Sequence, residues 1–177
     1  MSQQQSARYQ RSAGGMVGAL VVLVGLIGVW LALHALTGND PPSPVQTVDY
    51  TREVPTARKA AGFDLVAPPR LPSGWRATTV SFTPGPRSHW HLGVLTDRGR
   101  YVGLEQSTES VTSMVRAYVD ESAARGTPLD VAGQPWSTYT DARGDLALAR
   151  REGRTTTVVI GHRVPRSDLV SYTASLR

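Results

Sequence analysis

From Met16 to Leu36 the chain runs for about 21 residues in which His34 is the one polar side chain. At ~1.5 Å per residue a helix of that length covers the ~30 Å hydrocarbon core of a bilayer. No other stretch constrains the fold so strongly, because this one decides which solvent the remaining residues meet. Residues 14–36 therefore predict one transmembrane helix. A secretory signal peptide has an apolar region of only ~7–15 residues followed by a small-residue cleavage site; this run is longer, and Ala35 with Thr37 makes a poor site. A lipoprotein would need a cysteine there, and the chain has none. A buried core helix would carry a polar stripe, whereas this segment is apolar all round.

Charge sets the direction. Arg8 and Arg11 precede the helix with no acidic residue among positions 1–13, while Asp40 and Asp49 follow it before the first basic residue, Arg52. The positive-inside rule then keeps the N-terminus in the cytoplasm and places the rest outside the cell membrane. Trp30 and His34 fall near the outer headgroups. Within the helix Gly14, Gly18, Val21, Gly25, Gly28, Ala32 and Ala35 recur in steps of three and four, which lines small residues along one face. Such a face is a candidate packing surface for a homodimer or another membrane helix.

The formal charge is +5, and Arg8 with Arg11 accounts for two of these charges, so the outer part is only mildly basic. Its arginines are spread along the chain instead of gathered on one face, which argues against nucleic acid as a partner. Absence of cysteine excludes disulfides, thiolate metal sites and cysteine nucleophiles together.

Positions 1–13 are polar without periodicity and predict a disordered cytoplasmic tail. Residues 37–54 contain Pro41, Pro42 and Pro44 and predict an extended spacer. The outer domain is expected over 55–177. Pro55 and Gly62 bracket a short helix over Pro55 to Ala61. FDLVAP, residues 63–68, predicts an edge strand, and Arg76 to Phe82 another. Trp90, Leu92 and Val94 share one face of a strand from His89 to Thr96, which the Asp97, Arg98, Gly99 turn folds onto Tyr101 to Ser107 as a hairpin. Val111, Met114, Val115, Tyr118 and Val119 then follow a helical period, with Ser107 or Thr108 as the expected cap and Gly126 with Pro128 as the expected stop. Strands are expected at Trp136 to Thr140, Leu146 to Arg151 and Thr155 to Gly161, the last placed centrally because it is densely β-branched. Pro165 opens a closing helix with Leu169, Tyr172 or Thr173, and Leu176 on its apolar side. The sum is an α+β domain, an antiparallel sheet of about six to seven strands packed by two main helices.

The anchor, LPSGWRATTVSF, WHLGVLTDRGRYVGLEQS, PWSTYTDARGDLALARREGRTTTVVIG and the closing DLVSYTASL together resemble the actinobacterial DUF4245 proteins. That resemblance implies a single-pass membrane protein of unknown function and supplies no catalytic residue. The second half is also similar, more weakly, to sheet-and-helix envelope domains of the DUF4367 and LolA-like carrier groups.

His89 and His91 form the chain's one HxH, and strand alternation puts both rings on one face, as a two-histidine metal site needs. A third ligand is not specified by spacing: His34 lies in the anchor, His162 on a distant strand, and Asp97 or Glu105 is only a possible carboxylate. No metal or other cofactor is therefore expected. Glu105 and Asp145 could form a carboxylate pair for glycan hydrolysis, but acidic residues on a solvated sheet look the same. Neither G-x-S-x-G nor S-x-x-K occurs, so no catalytic residue is assigned. Arg150, Arg151 and Arg154 flank a hairpin turn and read as a solvated tip or a contact for lipid phosphate or an acidic partner. Trp75, Trp90, Trp136, Tyr101 and Tyr139 form the heaviest apolar set outside the anchor, suited to filling a core or lining a groove. The expected function is a non-enzymatic binding module in the cell envelope, tethered to the bilayer by one helix and engaging an envelope protein or lipid. A lipid or small-ligand carrier is the alternative, and an envelope hydrolase the third reading.

Overall fold

The β-branched run Thr155, Thr156, Thr157, Val158, Val159, Ile160 lies at the middle of a sheet, buried along its whole length. The computed structural model describes residues 45–177 together with Ile27. The expected tail, the anchor apart from Ile27, and the first part of the spacer lie outside the described residues, and with them the helix-packing candidates Gly14, Gly18, Gly25, Gly28 and Ala32. Among the described residues no helix is long and apolar enough to cross a membrane.

Residues Gln46–Arg177 form one compact unit. Its elements are α1 (Tyr50–Ala61), β1 (Arg76–Thr83), β2 (His89–Leu95), β3 (Tyr101–Ser107), α2 (Val111–Tyr118), β4 (Ala124–Arg125), β5 (Leu129–Val131), β6 (Gln134–Thr140), β7 (Leu146–Glu152), β8 (Thr155–His162) and α3 (Arg166–Ala174). The strands form one antiparallel sheet in the order β1-β2-β3-β8-β7-β6-β4, with β5 paired to β6 off that path. This is the expected α+β class, with eight strands and three helices among the described residues where about six to seven strands and two main helices were expected.

Helices pack on both faces. On the first, Val54, Ala57 and Ala61 of α1 and Leu169 and Tyr172 of α3 meet Trp90, Leu92, Val94, Val102, Leu104, Leu148 and Val159. On the second, Met114 and Val115 of α2 cover Ala147, Ala149, Val158 and Ile160. Each of the larger apolar side chains removed from water in this way contributes ~1.5–3 kcal/mol. Because α2 lies over β7 and β8 and reaches β2 only through Tyr118, no helix among the described residues covers the second face toward β1.

Four expectations about the elements change. Residues 63–68 are not a strand: their backbone groups bond elsewhere, Val66 N–H to Gln106 Oε1 at 2.8 Å, Ala67 reciprocally with Arg177, and Pro68 O from the Tyr50 hydroxyl at 2.8 Å. The short helix starts at Tyr50, not Pro55, so residues 50–54 are helix where spacer was expected; Asp49 caps it by accepting from Thr51 N–H. Ser110, not Ser107 or Thr108, caps α2 by accepting from Ser113 N–H at 3.1 Å. That helix ends at Tyr118, well before Gly126, where Asp120 accepts from Ser122 N–H at 2.7 Å and turns the chain. The two unforeseen strands, β4 and β5, are two and three residues long, too short for a period to show.

Candidate functional site

Alternation along β2 sends Trp90 and Leu92 into the first-face core and leaves His89 and His91 on the second face, half-buried. The register of the hairpin sets Glu105 directly opposite His91. Its carboxylate stands between the two rings, with Oε1 2.6 Å from His91 Nδ1 and Oε2 2.9 Å from His89 Nε2. Glu105 is only 5% exposed, and the histidines are its ion-pair partners among the described residues. The His91 contact is a hydrogen bond between ring Nδ1 and the Glu105 carboxylate. The His89 contact lacks hydrogen-bond geometry, and both of its atoms are buried without a hydrogen-bond partner. Tyr118, at the end of α2, stacks on His89 with ring centroids 5.0 Å apart and planes 4° apart. Burial, then the charges of Glu105 and Glu109, raise the Tyr118 hydroxyl above its ordinary pKa.

Next along the face, Gly93 and Gly103 pair across β2 and β3 and form a floor for the Tyr101 ring. A Cβ on Gly93 would stand 2.9 Å from Tyr101 Oη and 3.4 Å from His91 Nε2; one on Gly103 would stand 3.2 Å from Tyr101 Cε1. Burial, with the Glu105 charge added, pushes the Tyr101 hydroxyl up to about 12, so it stays protonated near neutrality. Beyond it His162 stacks on Tyr101 at 5.7 Å and meets Asp145 Oδ2 through Nδ1 at 3.0 Å. Asp145 Oδ1 also accepts from Arg163 N–H at 2.7 Å, where the backbone takes a left-handed φ of 57°. Burial works to raise the Asp145 carboxyl, but the Arg163 N–H and His162 outweigh it and hold it below the ordinary value. The result is a strip of aromatic and acidic side chains, Tyr118, His89, Glu105, His91, Tyr101, His162 and Asp145, running across the second face.

The family model for DUF4245, a protein family of unknown function, matches residues 8–176, nearly the whole chain. The chain belongs to the DUF4245 family. No curated protein matches it in sequence.

In this DUF4245 chain the remaining candidates separate. Glu105 and Asp145 do not act as a free carboxylate pair, since histidines engage each of them. Asp97 stays exposed in its turn and takes no part in the strip. Arg151 donates to Glu109 O at 2.8 Å and Arg150 pairs with Glu152 at 2.9 Å, leaving Arg154 exposed at the tip. Trp90 and Trp136 fill the first-face core, Trp75 stacks on Tyr172 at 5.9 Å, and Tyr139 packs on the second-face cluster. Tyr101 parts from them and belongs to the strip. Among the described residues no group of three or more His, Cys, Asp or Glu side chains is placed to hold a metal ion.

One residue escaped sequence reasoning, and so did the pairing of Glu105 with His91. Gln106, 1% exposed, clamps residues 64–66 to β8 by donating from Nε2 to Asp64 O and Thr157 Oγ1 while Oε1 accepts from Val66 N–H. No sequence signal marks it. Glu105 does have one: residues equidistant from Arg98 at the hairpin turn pair with each other, which puts His91 opposite Glu105.

Proposed function

We propose that this protein is a single-pass, membrane-anchored binding domain on the outer side of the cell membrane. It carries no catalysis of its own and engages an envelope protein through the uncovered half of its second sheet face. The observation that supports this is the one-sided covering by α2. Toward β1 the face carries Thr79, Ser81 and Thr83, all exposed, beside His91 and Tyr101. That is a flat, hydroxyl-rich and nearly uncharged surface bordered by aromatic rings, and aromatic anchors inside a polar rim suit protein recognition.

Carriage of a lipid is the weaker reading. Apart from Tyr101, the aromatic set considered for a groove packs in or against the two cores; the cleft that Trp136 reaches, between Val66, Val131 and Thr173, holds about 130 Å³, below the ~300 Å³ at which ligand pockets begin, and the larger hollows of about 400 and 470 Å³ beside α1 are shallow and open to solvent. Hydrolysis is weaker still, because the carboxylates it would use are held by histidines.

Site-specific photocrosslinking in intact cells tests the proposal. A photoreactive residue at Ser81 should trap a discrete envelope protein, while one at Lys59, exposed on α1, should not. Identical adducts from both positions, or none from Ser81, would overturn it.

A further inference from the structure

We infer that the outer edge of β1 receives an extended segment of the partner protein as an added strand, a segment uncharged along its middle and acidic at its ends. The inference names the partner chemistry for the binding reading above and rests on that reading. Its first support is the contrast between the two edges of the sheet. At the far edge β6 is covered by β4 and β5, two and three residues long, and each holds a charged residue, Arg125 and Asp130. Short, charged edges keep a sheet from pairing with other chains. At the near edge β1 ends the strand path, so no strand among the described residues pairs with its outer side. It is eight residues long, and from Ala77 to Thr83 it holds neither a charge nor a proline. Its register shift lies between Ala77 and Thr79 and leaves residues 79–83 regular.

The second support is a backbone bond that this strand already accepts from outside the sheet. Val48 N–H donates to Ala77 O at 2.9 Å, just before α1 carries the chain away. Past that point every second residue of 79–83 turns its N–H and C=O outward. Main-chain groups in that position are what an added strand bonds to.

The third support comes from side chains and charge. Val80 and Phe82 lie opposite Leu92 and Trp90, pack against the first-face core and stay half-buried at the sheet margin. Thr79, Ser81 and Thr83 point the other way and are exposed. An added strand continues both patterns, with apolar residues beside Val80 and Phe82 and small polar ones beside the hydroxyls. Charge sets its ends: Arg76 before the neutral run and Arg87 after it form no ion pair among the described residues. Acidic residues flanking the segment meet them. A second copy paired antiparallel through the same edge would instead bring Arg76 of one chain toward the Arg87 end of the other, and like charges brought together disfavour that pairing.

The test is fluorescence anisotropy with full-length protein in detergent micelles. The probe is a fluorescein-labelled ten-residue peptide of alternating valine and threonine, with glutamates at both ends. Saturable binding is expected, roughly 5-fold or more tighter than for the same peptide ended by lysines. Arg87→Glu, in an exposed loop, should narrow or reverse that preference. A peptide whose middle amides are N-methylated cannot donate to a sheet edge and should not bind. No saturable binding, equal binding of the N-methylated peptide, or a charge preference unchanged in Arg87→Glu would overturn the added strand. The chain has no cysteine, so Ser81→Cys supplies one thiol per chain; a disulfide between copies that forms readily and blocks the peptide would put a second copy on this edge and overturn the proposal. Ser81 photocrosslinks in cells without any peptide binding would overturn the added strand alone and leave the docking face standing.

Discussion

Asp145 shows how much one side chain can hold in place on this face. It accepts from Arg163 N–H and from His162, and the first of these bonds fixes a left-handed backbone at a residue with a Cβ, a conformation that needs such over-determination to persist. Its folded-state carboxyl is held below the ordinary value. A group depressed in this way contributes stability that is present above the unfolded pKa and lost as pH falls through the folded one. Urea unfolding of the parent should therefore weaken as the pH drops below about 4, and Asp145→Asn should lower the midpoint at neutral pH while flattening that acid slope. An unchanged slope in the variant would assign the acid sensitivity elsewhere. At this scale the sequence was legible where a residue's partner is set by strand alternation, as for His89 and His91. It was not where the partner comes from a distant element: nothing near Asp145 in sequence announces Arg163, and nothing near Gln106 announces residues 64–66.

Periodicity carried most of the elements, and it failed where backbone bonds go to side chains. Val115 lies on the stripe of α2 and Ile160 on the central strand, and both are buried in the second-face cluster. Truncating either to alanine should cost ~1–4 kcal/mol in denaturant unfolding, whereas Arg98→Ala, in an exposed turn, should cost little. Equal and negligible effects would mean that α2 does not pack on β8. The start of α2 is a finer test. Ser110 accepts from Ser113 N–H, while Ser107 accepts from Glu109 N–H ahead of the helix. Ser110→Ala should then destabilise by ~1 kcal/mol, the ordinary value of an N-cap. Three hydroxyl residues precede this helix within a few positions, and the sequence does not say which of them turns inward. FDLVAP misleads for a related reason: its alternation is real, since Leu65 and Ala67 are buried, but α1, Gln106 and the C-terminal residue satisfy its backbone in place of a neighbouring strand.

For the whole molecule the proposed membrane anchor sets the frame, and that proposal rests on residues 1–44 of the sequence. If Arg8 and Arg11 hold the N-terminus inside, a cysteine at Ser43 should react with an impermeant thiol reagent on intact cells and one at Ser6 should not; the reverse pattern would invert the topology. Whether the helix does more than tether depends on its small residues. If residues 14–36 span the bilayer as one helix, the sequence spacing of Gly14, Gly18, Gly25, Gly28 and Ala32 would put them on one face, where a second backbone could approach closely enough for dispersion and weak polar contacts to replace packing against lipid. Glycine is also frequent in membrane helices without any such purpose, so the composition alone does not decide. Bulk on that face does. Gly25→Leu with Gly28→Leu should abolish association in a membrane crosslinking assay, because leucine keeps the span apolar while holding the backbones apart. Leu23→Ile with Leu26→Ile conserves volume away from the stripe and should leave association intact. If the glycine variants crosslink as well as the parent, the helix works as a tether, and any assembly of the protein has to come from the outer domain.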